Sequence, residues 1–204
     1  MRTCEGRVSS LAELEALYGP TPEGATRKVA DHLTPPYRRM LEAAPFVALA
    51  TGSGDGFDCS PRGDRGQVAF VLDERTVAVP DRRGNNRLDT LRNIVTDGRI
   101  AALFLLPGCN ETLRLNGRAW LSTDEGLRER FAVDAKEPVT VIVIEIAEVY
   151  FQCARALMRS DLWNACLDRA ALPSAGEMTK SAWDAFDAET YDAALPARQA
   201  ATLY

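Results

Sequence analysis

The spacing of apolar residues changes twice along the chain, and the two changes divide it into three regions. In residues 10–44 the apolar positions recur at helical intervals. Leu11, Leu14, Leu17 and Tyr18 form one stripe behind a Ser10…Glu13 pair, which reads as a capping box. Gly19-Pro20 ends that segment. Thr21-Pro22 and Thr34-Pro35 each look like an N-cap followed by proline at the first helical position, where the missing N–H costs nothing. From Phe46 the period drops to two. "FVALAT" (46–51), "FDCSPRG" (57–63), "QVAFVLD" (67–73), "RTVAVPD" (75–81), "RIAALFLLPG" (99–108), "TLRLNGRAWLST" (112–123) and "VTVIVIEIAEVYFQC" (139–153) read as strands joined by short turns. The 99–108 run is apolar enough for a strand covered on both faces. In 112–123 the apolar face is Leu113, Leu115, Ala119 and Leu121, opposite Thr112, Arg114, Asn116, Arg118 and Trp120.

One helix interrupts the strands, over roughly 86–97. Its expected cap is Asn86, its buried face Leu88, Leu91, Ile94 and Val95, and its stop Asp97-Gly98. After Cys153 the helical period returns, with an amphipathic stretch from Asp161 to Ala171 around Leu162, Trp163 and Leu167. A final helical segment is broken by Pro196. Strands that follow one another with so few intervening helices predict a mainly antiparallel β-barrel with flanking helices, not a doubly wound sheet. The expected organisation is a single domain over 1–204, with N-terminal helices in 10–44 and a C-terminal helical extension in 160–204.

Composition narrows the function classes. The chain has 204 residues with a formal charge of −5, which disfavours a general nucleic-acid binder. Five cysteines without CxxC spacing, a single histidine (His32, expected on a helix surface) and no signal-like opening point to a reduced, cytoplasmic protein with no metal site. No apolar run is long enough to span a bilayer as a helix, so no membrane partner is expected.

Against that acidic background, "PDRRGNNRLDTLRN" (80–93) concentrates four arginines around a Gly-Asn-Asn triplet. A strand, a glycine-bearing loop and a helix start offer free N–H donors and charge-assisted arginine bonds, the requirements of a phosphate site. A solvated loop whose arginines pair with Asp81, Asp89 and Asp97 is the alternative. Arg62 and Arg65 in "SPRGDRG" and Arg114 and Arg118 on one strand face form two further basic clusters, although a cross-strand salt bridge is the simpler expectation for Arg118. Cys59 and Cys153 carry no thiolate-stabilising pattern and are given no redox role.

The succession "CSPRGD", "VPDRRGNNRLDTLRNI", "ALFLLPG", "ETLRLNGRAWL" and "ARALMRSDLW" resembles the pyridoxamine 5′-phosphate oxidase-like family of FMN-binding split β-barrels, over roughly residues 40–165. The resemblance implies a split barrel and an FMN shared across a homodimer interface, with a small-molecule substrate. It places cofactor contacts at Asp81, Asn85, Asn86 and Arg87, to which charge alone adds Arg83. Ser60 and Arg62 stand at the strand motif near the flavin ring. Thr112 falls where the oxidase carries a glutamine, followed by Arg114, and either Arg62 or Arg114 is the expected cation at the ring's N1/C2 edge. Arg155, Arg159, Ser160 and Trp163 are candidates to cover the ring from the partner or to line a substrate pocket, although a place in a helix core is the simpler expectation for Trp163. The oxidase's own substrate-binding pattern is not present. The implied activity is therefore flavin-dependent oxidoreduction of an unidentified small molecule. A non-catalytic flavin-binding or storage module and a deazaflavin-dependent reductase are the alternatives.

Overall fold

A computed structural model describes residues 6–204; Cys4 lies outside the described residues. Three helices lead: α1 (Leu11–Tyr18), α2 (Glu23–Thr26) and α3 (Pro35–Glu42). Ser10 caps α1 by accepting from the Glu13 N–H, while the Glu13 carboxylate takes the Ser9 N–H, so the box is shifted by one residue from the expected pair. Gly19, with φ of 69°, ends α1 as expected. The Leu11, Leu14, Leu17 and Tyr18 stripe is exposed. Pro22 itself, not Thr21, is the cap position of α2. Thr34 caps α3 with Pro35 behind it, as the sequence predicts. Leu41, fully buried on α3, is the kind of side chain whose removal from water contributes about 1.5–3 kcal/mol. His32 lies in the link between α2 and α3, beside Asp31 at 2.8 Å, and not on a helix. That bond, with Arg75 on the other side, holds the Asp31 carboxyl down at a pKa of about 2.

Seven strands follow: β1 (Phe46–Ser53), β2 (Gly56–Gly63), β3 (Phe70–Val71), β4 (Thr76–Pro80), β5 (Arg99–Leu105), β6 (Thr112–Ser122) and β7 (Val141–Gln152). All pairings are antiparallel, in the order β2-β1-β5-β6-β7-β4-β3. The inward residues of β1, β4, β5, β6 and β7 meet in one apolar core, so the sheet wraps on itself while β2 and β3, each paired on one side only, form its open edges. This is the antiparallel barrel that the strand pattern predicts, split as the family resemblance implies. β5 is fully buried on one face only, the other face being half-covered.

The 67–73 strand is reduced to two residues. Val68 and Ala69 are buried, but the Val68 N–H turns to the Ala44 carbonyl, which takes the start of the segment out of the ladder, while the Leu72 N–H closes the turn to Thr76. β6 keeps its alternation throughout because the irregularity opposite Asn116/Gly117 falls on β7, where Ala147 is the extra residue. A Cβ on Gly117 would lie 2.0 Å from the Glu145 carbonyl oxygen, so that crossing admits only glycine.

The inserted helix, α4 (Asp89–Thr96), begins three residues later than Asn86 and has Leu88 at its cap position. Its buried face is Thr90, Asn93 and Ile94, with Leu91 partly covered; Leu88 (41% exposed) and Val95 (74%) point outward. Polar bonds set that rotation. The Thr90 hydroxyl donates to Asp58 on β2, and the Asn93 amide donates to Thr51 on β1. Gly98, at φ of 81°, ends the helix as expected. Arg118 donates to the Asp97 carbonyl at that end, instead of bridging to a carboxylate across strands.

α5 (Glu125–Arg130) links β6 to β7. After β7 come α6 (Arg155–Ser160), a 3-10 turn (Arg169–Ala171), α7 (Ala175–Ala182) and α8 (Ala188–Ala201). The expected 161–171 helix does not form, because Asp161 adopts a left-handed conformation (φ 46°) that ends α6. α8 runs through Pro196 without a break. Among the described residues no helix is long and apolar enough to cross a membrane.

Candidate functional site

The alternation of β2 places Asp58, Ser60 and Arg62 on its inward side, facing the loop between β4 and α4. Together with that loop they enclose a cavity of about 580 Å³. Ser60, Arg62, Asp81, Arg83, Asn85, Asn86 and Arg87, seven of the residues expected at a cofactor site, all line it. Asn85, Asn86 and Arg87 do so from the loop and not from the first turn of the helix. The Asn85 side-chain oxygen accepts the Arg87 N–H at 3.0 Å, and Asn86 sits at φ of 58°, a left-handed conformation that asparagine tolerates. The N–H groups of Gly84, Asn85 and Asn86 have no hydrogen-bond partner among the described residues.

Aspartates hold most of the arginines. Arg82 Nη2 lies 2.7 Å from an Asp64 oxygen and its Nη1 donates to the Phe131 carbonyl; both side chains of the pair are nearly covered, at 14% and 8% exposed. Arg87 is paired with Asp89 at 2.6 Å, which raises its pKa further. Arg62 stands 3.6 Å from Asp81, whose carboxyl pKa is raised because burial outweighs the arginine's attraction. Ser60 donates to Asp58. Arg83 makes no ion pair or hydrogen bond among the described residues, so it is the cavity's uncommitted cation. Free backbone donors beside a free guanidinium suit a phosphate, and the cavity has room for one with its attached chain.

The family model for pyridoxamine 5′-phosphate oxidase matches residues 33–153. The chain belongs to this family. Its members bind flavins, and the matched span contains the whole barrel together with the cavity, apart from one lining residue, Leu203. Among solved structures, HupZ of Group A Streptococcus is similar at 17% identity, covering 58% of this chain and 93% of that one, with a TM-score of 0.49. General stress protein 26 of Bacillus anthracis is 14% identical, covering 56% and 88%, with a TM-score of 0.44. An F420 reductase is 19% identical, covering 59% and 98%, with a TM-score of 0.41. A comparison with curated proteins gives no match.

The other expected site residues lie elsewhere on the chain. Thr112 is buried at the start of β6, opposite Gln152, and Arg114 lies in register with Tyr150, its guanidinium 6.0 Å from that ring. Arg159 is exposed near the end of α6, and Ser160 donates to the Leu157 carbonyl. Trp163 sits in the turn after α6 and donates its indole N–H to the Cys109 carbonyl, so it is neither a helix-core residue nor a lining of this cavity.

The lining also includes Asp58, Asp64, Asp89 and Leu203, which are not among the expected cofactor contacts. The period-two pattern that turns Ser60 and Arg62 toward the cavity also turns Asp58 toward it. Leu203 has no comparable signal, since only the folded chain brings it to the cavity.

Proposed function

We propose that this protein binds FMN, with the flavin phosphate in the cavity between β2 and the β4–α4 loop, and uses it for oxidoreduction of a small molecule. The observation that carries this reading is the uncommitted Arg83 beside the unpartnered N–H groups of Gly84, Asn85 and Asn86, in a chain of a flavin-binding family. Arg83 and those N–H groups hold the phosphate. Arg87 joins them when it releases Asp89. Arg62, at the β2 side of the cavity, is the residue that would favour negative charge on the reduced ring. The flavin supplies hydride chemistry at N5; the protein binds, orients and shields it.

A homodimer completes the site. Thr112, Arg114, Arg159, Ser160 and Trp163 lie outside the cavity of their own protomer, and in this reading they serve the flavin or the substrate of the second copy. The open edge strand β2, with Phe57 97% exposed on its outward side, supports a two-fold partner there.

The test is the absorption spectrum of the purified protein after incubation with FMN, together with mass analysis of what denaturation releases. A flavin spectrum with released FMN supports the reading, whereas protein that stays colourless overturns it. A released deazaflavin moves the assignment to that cofactor. Reduction of the bound flavin by NADH or NADPH at a catalytic rate separates an enzyme from a storage module, and light scattering that shows a monomer with FMN present overturns the shared site.

A further inference from the structure

Leu203 lies against the main cavity and Tyr204 against its two neighbours, far in sequence from the other residues that line them. Leu203 forms part of the wall of the main cavity, and Tyr204 lines two smaller cavities on either side of Arg82. Four contacts pin Tyr204. Its hydroxyl donates to Asp64 at 2.7 Å, the guanidinium groups of Arg65 and Arg82 stand 5.7 and 5.5 Å from its ring centroid, and its main-chain oxygen accepts from Lys136 at 3.0 Å. The bond to Asp64 raises the phenol's pKa. By contrast α8, which leads into this segment, buries no residue of its own. Leu203 and Tyr204, not the helix before them, make the specific contact with the barrel.

The geometry points to Leu203–Tyr204 as a strap that closes the anion cavity and retains its ligand, with Tyr204 as the positioning residue that shields the Asp64–Arg82 pair. The inference rests on the flavin reading for the identity of the ligand, but not for the docking itself. Tyr204 divides the main cavity's rim from the side cavities, and Leu203 gives that rim an apolar wall. With the strap gone, the three cavities open into one another and water reaches the ion pair, so a bound ligand leaves faster.

Three forms of the protein test this: the full chain, a chain shortened after Thr202, and Tyr204→Phe, which keeps the ring over the arginines but loses the bond to Asp64. FMN dissociation is followed by recovery of flavin fluorescence on dilution. The shortened chain is expected to release FMN about tenfold faster, because residence time is where contact losses show. Tyr204→Phe is expected to fall between, at about two- to fivefold. A shortened chain whose release rate stays within about twofold of the full chain overturns the strap. A flavin-free readout separates the two readings: the Arg82 Nε–H, which donates to Asp64, is followed by NMR exchange with water. Exchange at least about fivefold faster in the shortened chain supports the strap even if FMN never binds, in which case only the flavin assignment falls. Unchanged exchange overturns the strap.

Discussion

Replacing Arg83 by alanine separates ligand binding from folding more cleanly than any other change in the cavity. Its guanidinium makes no ion pair or hydrogen bond among the described residues, so the free protein loses nothing specific and its stability should stay within about 0.5 kcal/mol. In the complex the same side chain donates to a phosphate, and a hydrogen bond to a charged group contributes about 1.5–3 kcal/mol. At about 1.4 kcal/mol per tenfold, FMN affinity should fall roughly 10- to 140-fold. Arg87 differs in a way that the geometry makes testable. It must leave Asp89, 2.6 Å away, before it can serve a ligand, so Arg87→Ala should cost less affinity than Arg83→Ala. Asp89→Asn should in turn release Arg87 and tighten binding, and Arg87→Ala in that background should then cost more than it does alone.

The assay is titration of FMN fluorescence quenching at fixed ionic strength, with thermal unfolding of each variant as the control. Affinity for Arg83→Ala within twofold of the unaltered protein, or a larger loss from Arg87 than from Arg83, refutes the assignment of free and committed arginines. A lower melting temperature for Arg83→Ala refutes it too, since it would mean that the side chain holds the loop.

Three other outcomes follow from the structure. Arg82→Ala takes from the covered Asp64 carboxylate its paired cation and should destabilise the fold by about 3–5 kcal/mol, measured by denaturant unfolding. Gly117→Ala forces a Cβ against the Glu145 carbonyl at the β6–β7 irregularity; it should cost at least about 1–3 kcal/mol in the same measurement, and a neutral result would show that the strands can part there. Asp81 has a raised folded pKa, so its contribution to stability is complete below the ordinary carboxylate pKa of about 3.9 and is lost as pH rises through the raised value. Asp81→Asn should therefore melt higher than the unaltered protein at neutral pH, by a margin that vanishes as the pH falls to about 4; a margin independent of pH refutes burial as the cause.

The barrel was legible in the sequence because its strands are governed by one strong periodicity. Leu113, Leu115 and Ala119 alternate into the core where the pattern puts them, and the irregularity that could have reversed their phase falls on the partner strand. The clustering of Ser60, Arg62, Asp81, Arg83, Asn85, Asn86 and Arg87 was legible for a related reason, since strand alternation and one short loop suffice to bring them together. The start of α4 was not. Asparagine favours both helix caps and the left-handed conformation, and here Asn86 takes the second, which delays the helix to Asp89. The rotation of α4 followed bonds from Thr90 and Asn93 to strands distant in sequence, and no helical periodicity reports such partners. The same limit hid Tyr204, whose contacts with Asp64 and Arg82 exist only once the barrel has closed.

The charge balance of the cavity accounts for the arginine-rich loop in an acidic chain. Four arginines (62, 82, 83 and 87) and four aspartates (58, 64, 81 and 89) line it, so it is close to neutral before any ligand arrives. Without the carboxylates, the guanidinium groups would repel one another and the loop would have no preferred shape. With them, Arg82 is fixed under Tyr204, while Arg62 and Arg87 are held within reach of the cavity and Arg83 alone stays uncommitted. A small inorganic anion gains one free cation and a few N–H groups, and it must break ion pairs to gain more. A flavin phosphate brings an apolar ring as well, whose burial supplies affinity that the nearly neutral cavity withholds from a bare anion. On the proposed flavin reading, pairing the arginines internally would make this loop favour a phosphate that carries a large aromatic group over a bare anion.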